Sequence, residues 1–259
     1  MTQRAFAKVN IFLKITGTRD QYHELASRFV RVSSVYDEMR FVPRKRAGEG
    51  LEVAGEFGCA LENNTLFKAY TVLLEEGFGA ALTSFFKAYT LEVDKRIPEG
   101  AGLGGGSSNA ATFLLMCNRF AELGLDTQTL AKLGQRIGAD VPFFIHEIQS
   151  ANVQGIGEMI EPFDEEVPEL ELFTPPVFCA TPKVYGAFRD HFLPSIDLDF
   201  AQTLLTCKSK RAMECYEAAA LNDLLAPALL LYPALGPYIQ QGWKMSGSGS
   251  TLFRIKNHG

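Results

Sequence analysis

The chain has 259 residues, of which 47% are hydrophobic, and its formal net charge is −5 at pH 7. The acidic balance disfavours nucleic acid as the main partner, and no apolar stretch reaches the roughly 20 residues that span a bilayer. The five cysteines are scattered and form no CxxC pair, so we expect a reduced, cytoplasmic protein without a structural zinc site.

The first predicted element is a β-strand over Arg4–Gly17, where apolar and polar residues alternate. Its apolar face is expected in the core and consists of Ala5, Ala7, Val9, Ile11, Leu13 and Ile15. On the opposite face Lys8 and Asn10 are neighbours. A solvated edge strand explains these two polar side chains as well as a function does.

A polar segment that turns aromatic follows the strand, over Thr18–Leu25. Its composition predicts a loop that displays Tyr22 and His23. Taken alone, His23 is more typical of a surface histidine than of a ligand contact.

The next predicted elements are a strand over Phe29–Pro43 and a helix over Leu66–Glu76. The run Asn63–Thr65 supplies an N-cap for that helix. We expect Gly77–Ser84 to break the helix before the next strand begins.

A glycine-rich loop, Pro98–Ala111, lies between a predicted strand over Tyr89–Ile97 and a predicted helix over Ala110–Leu123. Glycine lets backbone N–H groups approach a ligand closely, and a helix N-terminus adds unpaired donors and partial positive charge. This order favours a phosphate-binding loop over a flexible Gly/Ser linker. The residues expected to contact a phosphate-bearing ligand are Pro98, Glu99, Gly100, Ala101, Gly102, Leu103, Gly104, Gly105, Gly106, Ser107 and Ser108.

The glycine loop differs from the familiar phosphate loops. Its GxGxxG spacing matches a dinucleotide site, but the acid expected about 20 residues later at the end of a second strand corresponds to Glu122, inside the predicted helix. No lysine follows Gly106, as a Walker A loop requires, and a protein-kinase loop lies between two strands. The loop must therefore take its cationic group from elsewhere in the chain.

A second group of candidate site residues follows a predicted helix over Thr127–Ile137. Gly138 can end this helix. Asp140 comes next, on a tight turn directly before the apolar run Val141–Phe144. That setting tends to bury a carboxylate, which then needs a partner. An Asx turn or a helix cap is the simpler explanation from spacing alone.

The C-terminal half is predicted to mix short strands and helices. Strands are expected on both sides of a turn at Gly155–Glu158, and an exposed acidic loop over Asp164–Glu171. The remaining predictions are a strand over Leu172–Ala180, helices over Lys183–His191, Phe200–Leu205 and Asn222–Leu231, and a polar break over Cys207–Arg211.

Short strands over Trp243–Met245 and Thr251–Ile255 flank the glycine–serine turn Gly247–Ser250, which taken alone is explained by a hairpin loop. The composition changes near Glu147–Asn152. We therefore predict one domain over residues 1–150 and a second over residues 151–259.

Three strings in the chain, Ala7–Asn10, Pro98–Ala111 and Gly247–Ser250, resemble in their order the galactokinase/homoserine kinase/mevalonate kinase/phosphomevalonate kinase (GHMP) superfamily. The resemblance covers nearly the whole chain. It implies an α+β fold with two domains: a ribosomal-S5-like N-terminal domain for ATP binding and catalysis, and a ferredoxin-like C-terminal domain for substrate binding.

Within this superfamily, the strings AKVN, YHEL, GLGGGSSNAA and GADVPFF resemble the branch that acts in non-mevalonate isoprenoid synthesis. Its members phosphorylate the 2-hydroxyl of a cytidine-diphosphate-linked methylerythritol with ATP and Mg²⁺. The resemblance implies that Asp140 is the catalytic aspartate and Lys8 the catalytic lysine. Mg²⁺ is expected at the β- and γ-phosphates, with Ser108 or its neighbour Ser107 as an oxygen ligand.

The same resemblance implies the substrate contacts. Asn10 matches a residue near the reacting end of the substrate, and Asn64 and Lys95 match positions near the adenine. The residues that match the cytidine site are Tyr22, His23, Thr181, Pro182 and Tyr185. We expect a monomer or a homodimer that acts on this small molecule, with neither nucleic acid nor membrane as a partner.

The chain departs from the branch at two places. Gln21 stands where members usually have glycine, and the chain stops soon after Thr251–Ile255, where relatives continue with a helix and a strand. We therefore expect a shortened C-terminal domain. Three other functions stay open: a superfamily kinase for a different alcohol, a catalytically silent nucleotide-binding protein, and a dinucleotide oxidoreductase.

Overall fold

A computed structural model describes residues 1–46, 48–60 and 63–256. The chain forms two compact units, each assembled from separate segments. Unit 1 contains Met1–Ala7, Ser33–Glu99 and Gly104–Glu147, and unit 2 contains Lys8–Val32, Gly100–Leu103 and the chain from Ile148 onwards. The domain boundary that we place at residue 150 remains a prediction.

Two long strands, β1 (Thr2–Arg19) and β2 (Tyr22–Pro43), contribute residues to both units. The strands predicted here are confirmed, but the loop predicted over Thr18–Leu25 is wrong. A turn of two residues, Asp20 and Gln21, joins the strands, and Asp20 has a φ of 54°. Such short hairpin turns need a positive φ, which aspartate tolerates, so both strands continue up to the turn.

In unit 1, β4 (Tyr89–Asp94) pairs antiparallel with the end of β2 and parallel with β3 (Val53–Ala54). The helices of this unit are α1 (Thr65–Leu73), α2 (Gly79–Ala88), α3 (Gly105–Phe120), α4 (Thr127–Gln135) and α5 (Val141–Ile145). Its core includes the buried rings of Phe41, Phe86 and Phe113. Within the described residues, no helix combines the length and apolar character needed to cross a membrane.

The helical break predicted after α1 is shorter than expected. Gly77 has a φ of 90° inside a π-helical turn over Leu74–Phe78, which interrupts the helix as predicted. The chain becomes helical again in α2, which the sequence analysis missed. Leu82 and Phe86 bury one face of α2, and this burial stabilises the helix directly after the glycine.

Unit 2 contains two groups of strands. The hairpin of β5 (Ser150–Gly155) and β6 (Met159–Pro162) pairs through β5 with the start of β2. A separate three-stranded antiparallel sheet has the order β7 (Leu170–Phe173), β9 (Leu252–Ile255), β8 (Lys244–Met245). The strands predicted around Gly155 and around the glycine–serine turn are therefore confirmed.

The helices of unit 2 are α6 (Thr181–His191), α7 (Leu198–Thr206), α8 (Ser209–Cys215), α9 (Ala218–Leu221), α10 (Leu225–Leu231) and α11 (Gly236–Ile239). Leu13 and Ile15 of β1 pack in one apolar cluster with Val184 and Phe188 of α6. The predicted strand over Leu172–Ala180 is wrong beyond β7, and the predicted polar break contains the start of α8.

The sequence predicted an exposed acidic loop over Asp164–Glu171, and this prediction is wrong at Glu165, whose side chain is buried. Glu165 forms an ion pair with Arg28 at 3.2 Å, and both side chains are inaccessible to solvent. Arg28 also donates to Asn152 Oδ1 at 2.8 Å and to the carbonyl of Leu205 at 2.9 Å. These bonds satisfy a buried guanidinium, which is why an acidic residue of this loop is held inside unit 2.

Candidate active site

Lys8 and Asn10 are buried on β1, with 5% and 2% of their surface exposed. The Lys8 ammonium donates to Asn10 Oδ1 at 2.7 Å, and Asn10 Nδ2 donates to Ser27 Oγ at 2.9 Å. The ammonium also lies 4.4 Å from the centre of the Phe29 ring, a cation–π contact. The explanation of a solvated edge strand is therefore wrong, and Lys8 is a buried cation held in one place.

Hydrogen bonds in unit 2 join the three strings that the sequence analysis singled out. The backbone N–H of Asn10 donates to Ser246 Oγ at 3.2 Å, and this hydroxyl donates to the carbonyl of Gly102 at 2.9 Å. The N–H of Lys8 donates to the carbonyl of Leu103 at 3.0 Å. The turn between β8 and β9 is thus attached to β1 and to the middle of the glycine loop.

Gly100 and Ala101, also part of unit 2, contact other segments of that unit. The carbonyl of Ala101 accepts from the N–H of Thr251 at 3.1 Å. Gly100 has a φ of 64°, and a Cβ there would lie 2.5 Å from the ring of Phe178. This part of the loop is therefore bonded to Thr251, directly before β9, and lies close to Phe178 in the segment before α6.

Gly102 shows why this loop needs glycine. Its φ is 76°, and a Cβ there would lie 2.3 Å from the carbonyl oxygen of Ser246. Both the left-handed conformation and the close approach of two backbones exclude a larger residue.

We expect Gly102→Ala to raise the KM for ATP at least about tenfold and to lower Tm, because the loop must move away from Ser246. Gly124→Ala is the matched control, since Gly124 has a φ of 71° but no atom within 4 Å of an added Cβ. Steady-state kinetics and thermal unfolding of both variants measure the difference. Equal KM values for ATP in the two variants would contradict this explanation of Gly102.

Asn222 supports the same turn and was missed by the sequence analysis. Its Nδ2 donates to the carbonyls of Met245 and Gly247, both at 2.9 Å, and its Oδ1 accepts from the N–H of Leu224 at 2.9 Å. All of the amide's polar atoms are therefore used to hold the turn against the start of α10. An asparagine at the start of a predicted apolar helix was the available signal.

In unit 1 the glycine loop ends at α3, which begins five residues earlier than predicted. Gly104 is left-handed with a φ of 70°, and Gly105 through Ser108 form the first turn of the helix. Glycine and serine are weak helix formers but are common where a helix starts. The N–H groups of Gly105 and Ser107 thus belong to a helix N-terminus, the part of a helix that attracts phosphate.

The end of β4 and the start of α3 meet at Asp37, a residue that the sequence analysis missed. Its carboxylate is fully buried and forms an ion pair with Lys95. It also accepts from the N–H of Arg96 at 2.7 Å, the N–H of Ile97 at 2.8 Å and Asn109 Nδ2 at 2.8 Å. Lys95, which we predicted near the adenine, donates as well to Asn109 Oδ1 at 2.9 Å.

Asn64, the second predicted adenine contact, caps α1, as the sequence analysis expected of this run. Its Oδ1 accepts from the N–H of Leu66 at 2.9 Å, and its neighbour Thr65 donates through Oγ1 to the carbonyl of Gly106 at 2.7 Å. The start of α1 is thereby joined to the first turn of α3. Glu99, at the start of the glycine loop, accepts from the N–H of Gly58 at 2.9 Å.

Asp140 is half-buried between α4 and α5, directly before Val141. Its side chain makes no capping hydrogen bond to α5, so the explanation of a helix cap is wrong. Two residues earlier, a Cβ on Gly138 would lie 3.7 Å from Ser107 Oγ. The turn that carries Asp140 therefore lies beside the first turn of α3 within unit 1.

His23 lies inside unit 2, with 6% of its surface exposed, and is not the surface histidine that its sequence context suggests. Its ring lies 5.3 Å from the ring of Tyr185 and 5.8 Å from that of Phe188. Burial, and next the charge of Arg189, lower the pKa of His23 below its ordinary value of 6.5, so the imidazole is neutral at pH 7. Tyr22 beside it is 54% exposed.

The Nε2 atom of His23 is buried, and within the described residues it has no hydrogen-bond partner. A buried polar atom without a partner costs free energy unless a ligand or water supplies one. This nitrogen is therefore the clearest polar position for a ligand among the aromatic residues that the sequence predicted for cytidine.

The start of α6 lies beside the glycine–serine turn, since the hydroxyls of Thr181 and Ser248 are 2.7 Å apart. Pro182 lies in the first turn of α6. Proline has no backbone N–H, and at this position of a helix no hydrogen bond is lost by its absence. At the β1–β2 turn, the backbone carbonyl of Gln21 accepts from Arg189 Nη2 at 2.6 Å. The turn that contains Gln21, where members of the branch usually have glycine, is thus attached to the end of α6.

A model of the GHMP kinases N terminal domain matches residues 64–147, which include the glycine loop and Asp140. The chain is a GHMP kinase, and the predicted α+β fold of that class is confirmed. It belongs to the family of 4-diphosphocytidyl-2-C-methyl-D-erythritol kinases. The prediction of a small-molecule kinase that uses ATP is confirmed with it.

Three comparisons carry the family assignment. A relative of that name from Sulfurimonas denitrificans is 50% identical over 256 residues, which cover 98% of this chain and 96% of the relative. One from a Sulfurovum species is 46% identical over 254 residues and 98% of both chains. A crystal structure of 4-(cytidine 5'-diphospho)-2C-methyl-D-erythritol kinase is 32% identical, with a TM-score of 0.77 over 99% of this chain and 90% of the other.

Proposed function

We propose that this chain transfers the γ-phosphoryl group of ATP to the 2-hydroxyl of 4-diphosphocytidyl-2-C-methyl-D-erythritol, a step of non-mevalonate isoprenoid synthesis. The observation that carries the proposal is the hydrogen-bonded path from Asn10 through Ser246 to Gly102. It joins the lysine-bearing strand, the glycine–serine turn and the glycine loop, which are the strings that define the kinase superfamily.

Phosphoryl transfer needs positioning and charge stabilisation more than covalent chemistry. We assign Asp140 as the group that accepts the proton of the substrate hydroxyl. Lys8 balances the charge that develops on the transferred group. Its hydrogen bond to Asn10 and its contact with Phe29 fix the ammonium beforehand, so little reorganisation is needed during the reaction. Asn10 acts near the reacting end of the substrate by holding Lys8.

The glycine loop and the N-terminus of α3 bind the α- and β-phosphates in this proposal, through the N–H groups of Gly105, Gly106 and Ser107. Within the described residues, no group of three or more His, Cys, Asp or Glu is placed to hold a metal. This fits Mg²⁺, which is commonly held by nucleotide phosphates, water and few protein oxygens. When bound, the ion would neutralise negative charge on the phosphates of the nucleotide. Ser108 is our predicted ligand; its side chain is buried, whereas Ser107 is half-buried.

The aromatic residues around His23 are proposed to bind the cytosine. A neutral imidazole has one nitrogen that donates and one that accepts, and the partnerless Nε2 atom is available to a polar edge of the base. Tyr185, next to His23, and the exposed Tyr22 supply faces on which a base can stack.

We expect Tyr185→Ala to raise the KM for the cytidine substrate by about 5- to 150-fold, the range for loss of one base–aromatic stack, with little change in kcat or in the KM for ATP. Tyr185→Phe keeps the ring and is expected to restore the KM. Tyr238→Ala is the control, because Tyr238 packs on the same apolar cluster. A normal KM in Tyr185→Ala would exclude the stacking role.

Transfer of label from γ-³²P-ATP to the cytidine substrate tests the whole proposal. The expected product carries the label as a phosphate monoester on the methylerythritol, identified by phosphorus NMR with unlabelled ATP. Removal of divalent cations with a chelator is expected to stop the transfer, and added Mg²⁺ to restore it. Label found in inorganic phosphate alone would contradict the proposed acceptor.

A further inference from the structure

Asp37 is buried in unit 1 and has no part in the reaction as described above. We propose that Asp37 is a positioning residue for nucleotide binding: its carboxylate fixes the two ends of the glycine loop and orients Lys95. The inference rests on the proposed role of this loop in binding ATP. It assigns a specific effect on one of the two substrates to a carboxylate that lies outside the recognised strings.

The first end of the loop is fixed at β4. The N–H groups of Arg96 and Ile97 both donate to Oδ1 of Asp37, at 2.7 and 2.8 Å. These residues directly precede Pro98, where the loop begins. Charge-assisted bonds from two successive N–H groups to one oxygen set the direction in which the chain leaves the strand.

The second end of the loop is fixed at α3. Asn109 Nδ2 donates to Oδ2 of Asp37 at 2.8 Å, and Asn109 lies just beyond the first turn of α3. Lys95 bonds to the same Oδ2 and to Asn109 Oδ1. Asp37, Lys95 and Asn109 therefore form a closed triangle of bonds, in which β4 and α3 are held to the same carboxylate of β2.

The triangle also sets the charge at the start of α3. A Cβ on Gly105 would lie 3.7 Å from the Lys95 ammonium, so the cation is close to the helix N-terminus. The Asp37 carboxylate balances the charge of the Lys95 ammonium, so Lys95 offers a hydrogen-bond donor within an ion pair that has little net charge as a whole. Such a donor suits a neutral base better than a phosphate, which agrees with the adenine contact predicted for Lys95.

The test is the variant Asp37→Asn, which keeps the size of the side chain and removes its charge. We expect the KM and the calorimetric Kd for ATP to rise about tenfold or more, because the loop and Lys95 lose their fixed positions. The KM for the cytidine substrate and kcat at saturating ATP are expected to stay within about twofold of wild type. A rise in the KM for ATP alone distinguishes a loss of positioning from a loss of stability. A loss of stability lowers the amount of active enzyme but changes neither KM.

Two further variants keep the test decisive. Asn109→Ala removes the link to α3 but leaves the Asp37–Lys95 ion pair, and it is expected to raise the Kd for ATP by a smaller factor in the same direction. It serves as the readout if Asp37→Asn does not fold. Asp126→Ala is the control: it removes the N-cap of α4, lowers Tm by about 2–4 °C and leaves the Kd for ATP unchanged.

The outcomes separate the inference from the proposed function. ATP binding by the wild type with unchanged Kd values in Asp37→Asn and Asn109→Ala would overturn the role of Asp37 and leave the kinase function intact. A folded wild type that binds no ATP would overturn the function itself, and with it the inference. A raised Kd in the Asp126→Ala control equal to that of the two variants would show that stability alone explains the effect, and would also overturn the inference.

Discussion

Replacing Asp140 with asparagine is expected to lower kcat by about 10²- to 10⁴-fold, the usual contribution of a general base, while ATP still binds. Asparagine has nearly the same size but cannot accept the proton of the substrate hydroxyl. The side chain makes no capping bond to α5, so its loss does not remove a cap. Single-turnover kinetics and calorimetric ATP binding measure the two parts of this prediction.

Asp126→Asn is the matched control for that experiment. Asp126 also precedes a helix of unit 1, but its side chain accepts from the N–H of Thr129 at 2.7 Å and caps α4. Asparagine caps nearly as well, so we expect normal turnover. Near-normal turnover in Asp140→Asn as well would remove Asp140 from the mechanism.

Replacing Lys8 with methionine is expected to lower kcat by about 10²- to 10³-fold, the usual cost of losing one preorganised group that stabilises charge in the transition state. Methionine fills similar space, and it leaves Asn10 with its bond to Ser27. We expect the loss in kcat at saturating concentrations of both substrates, with ATP binding retained.

Lys14→Met is the control for Lys8, because Lys14 is also buried on the same face of β1. It forms an ion pair with Asp223 and donates to the carbonyl of Ala220 at 3.2 Å. Its removal leaves a charged partner without compensation, which costs about 3–5 kcal/mol of stability, but the remaining folded enzyme is expected to keep its kcat. A kcat in Lys8→Met no lower than in Lys14→Met would contradict the catalytic role.

Much of the fold followed from local sequence patterns. Alternation predicted β1, and the polar run Asn63–Thr65 placed the start of α1 to within one residue. The helix predicted from Thr127 begins where α4 begins. These features depend on residues close together in the chain, which is why they are readable without the fold. The start of α3 was predicted five residues too late, because the glycine and serine residues of its first turn are also typical of a loop.

The features that sequence reasoning missed depend on distant parts of the chain. Asp37 receives bonds from Arg96 and Asn109, and nothing near it in sequence distinguishes it from a surface acid. Likewise, Asn10 is buried because Ser246 bonds to it from a segment more than two hundred residues away. The residues of a site can be named from short strings, but their burial and hydrogen-bond partners come from packing.

The most direct test of the central claim is ADP formation from MgATP with four candidate acceptors: 4-diphosphocytidyl-2-C-methyl-D-erythritol, mevalonate, homoserine and galactose. We expect substrate-dependent ADP release with the cytidine compound alone, because we propose that His23 and Tyr185 bind its base. Equal or faster turnover with another alcohol, or ATP binding without turnover on any of the four by a folded protein, would contradict the proposed function.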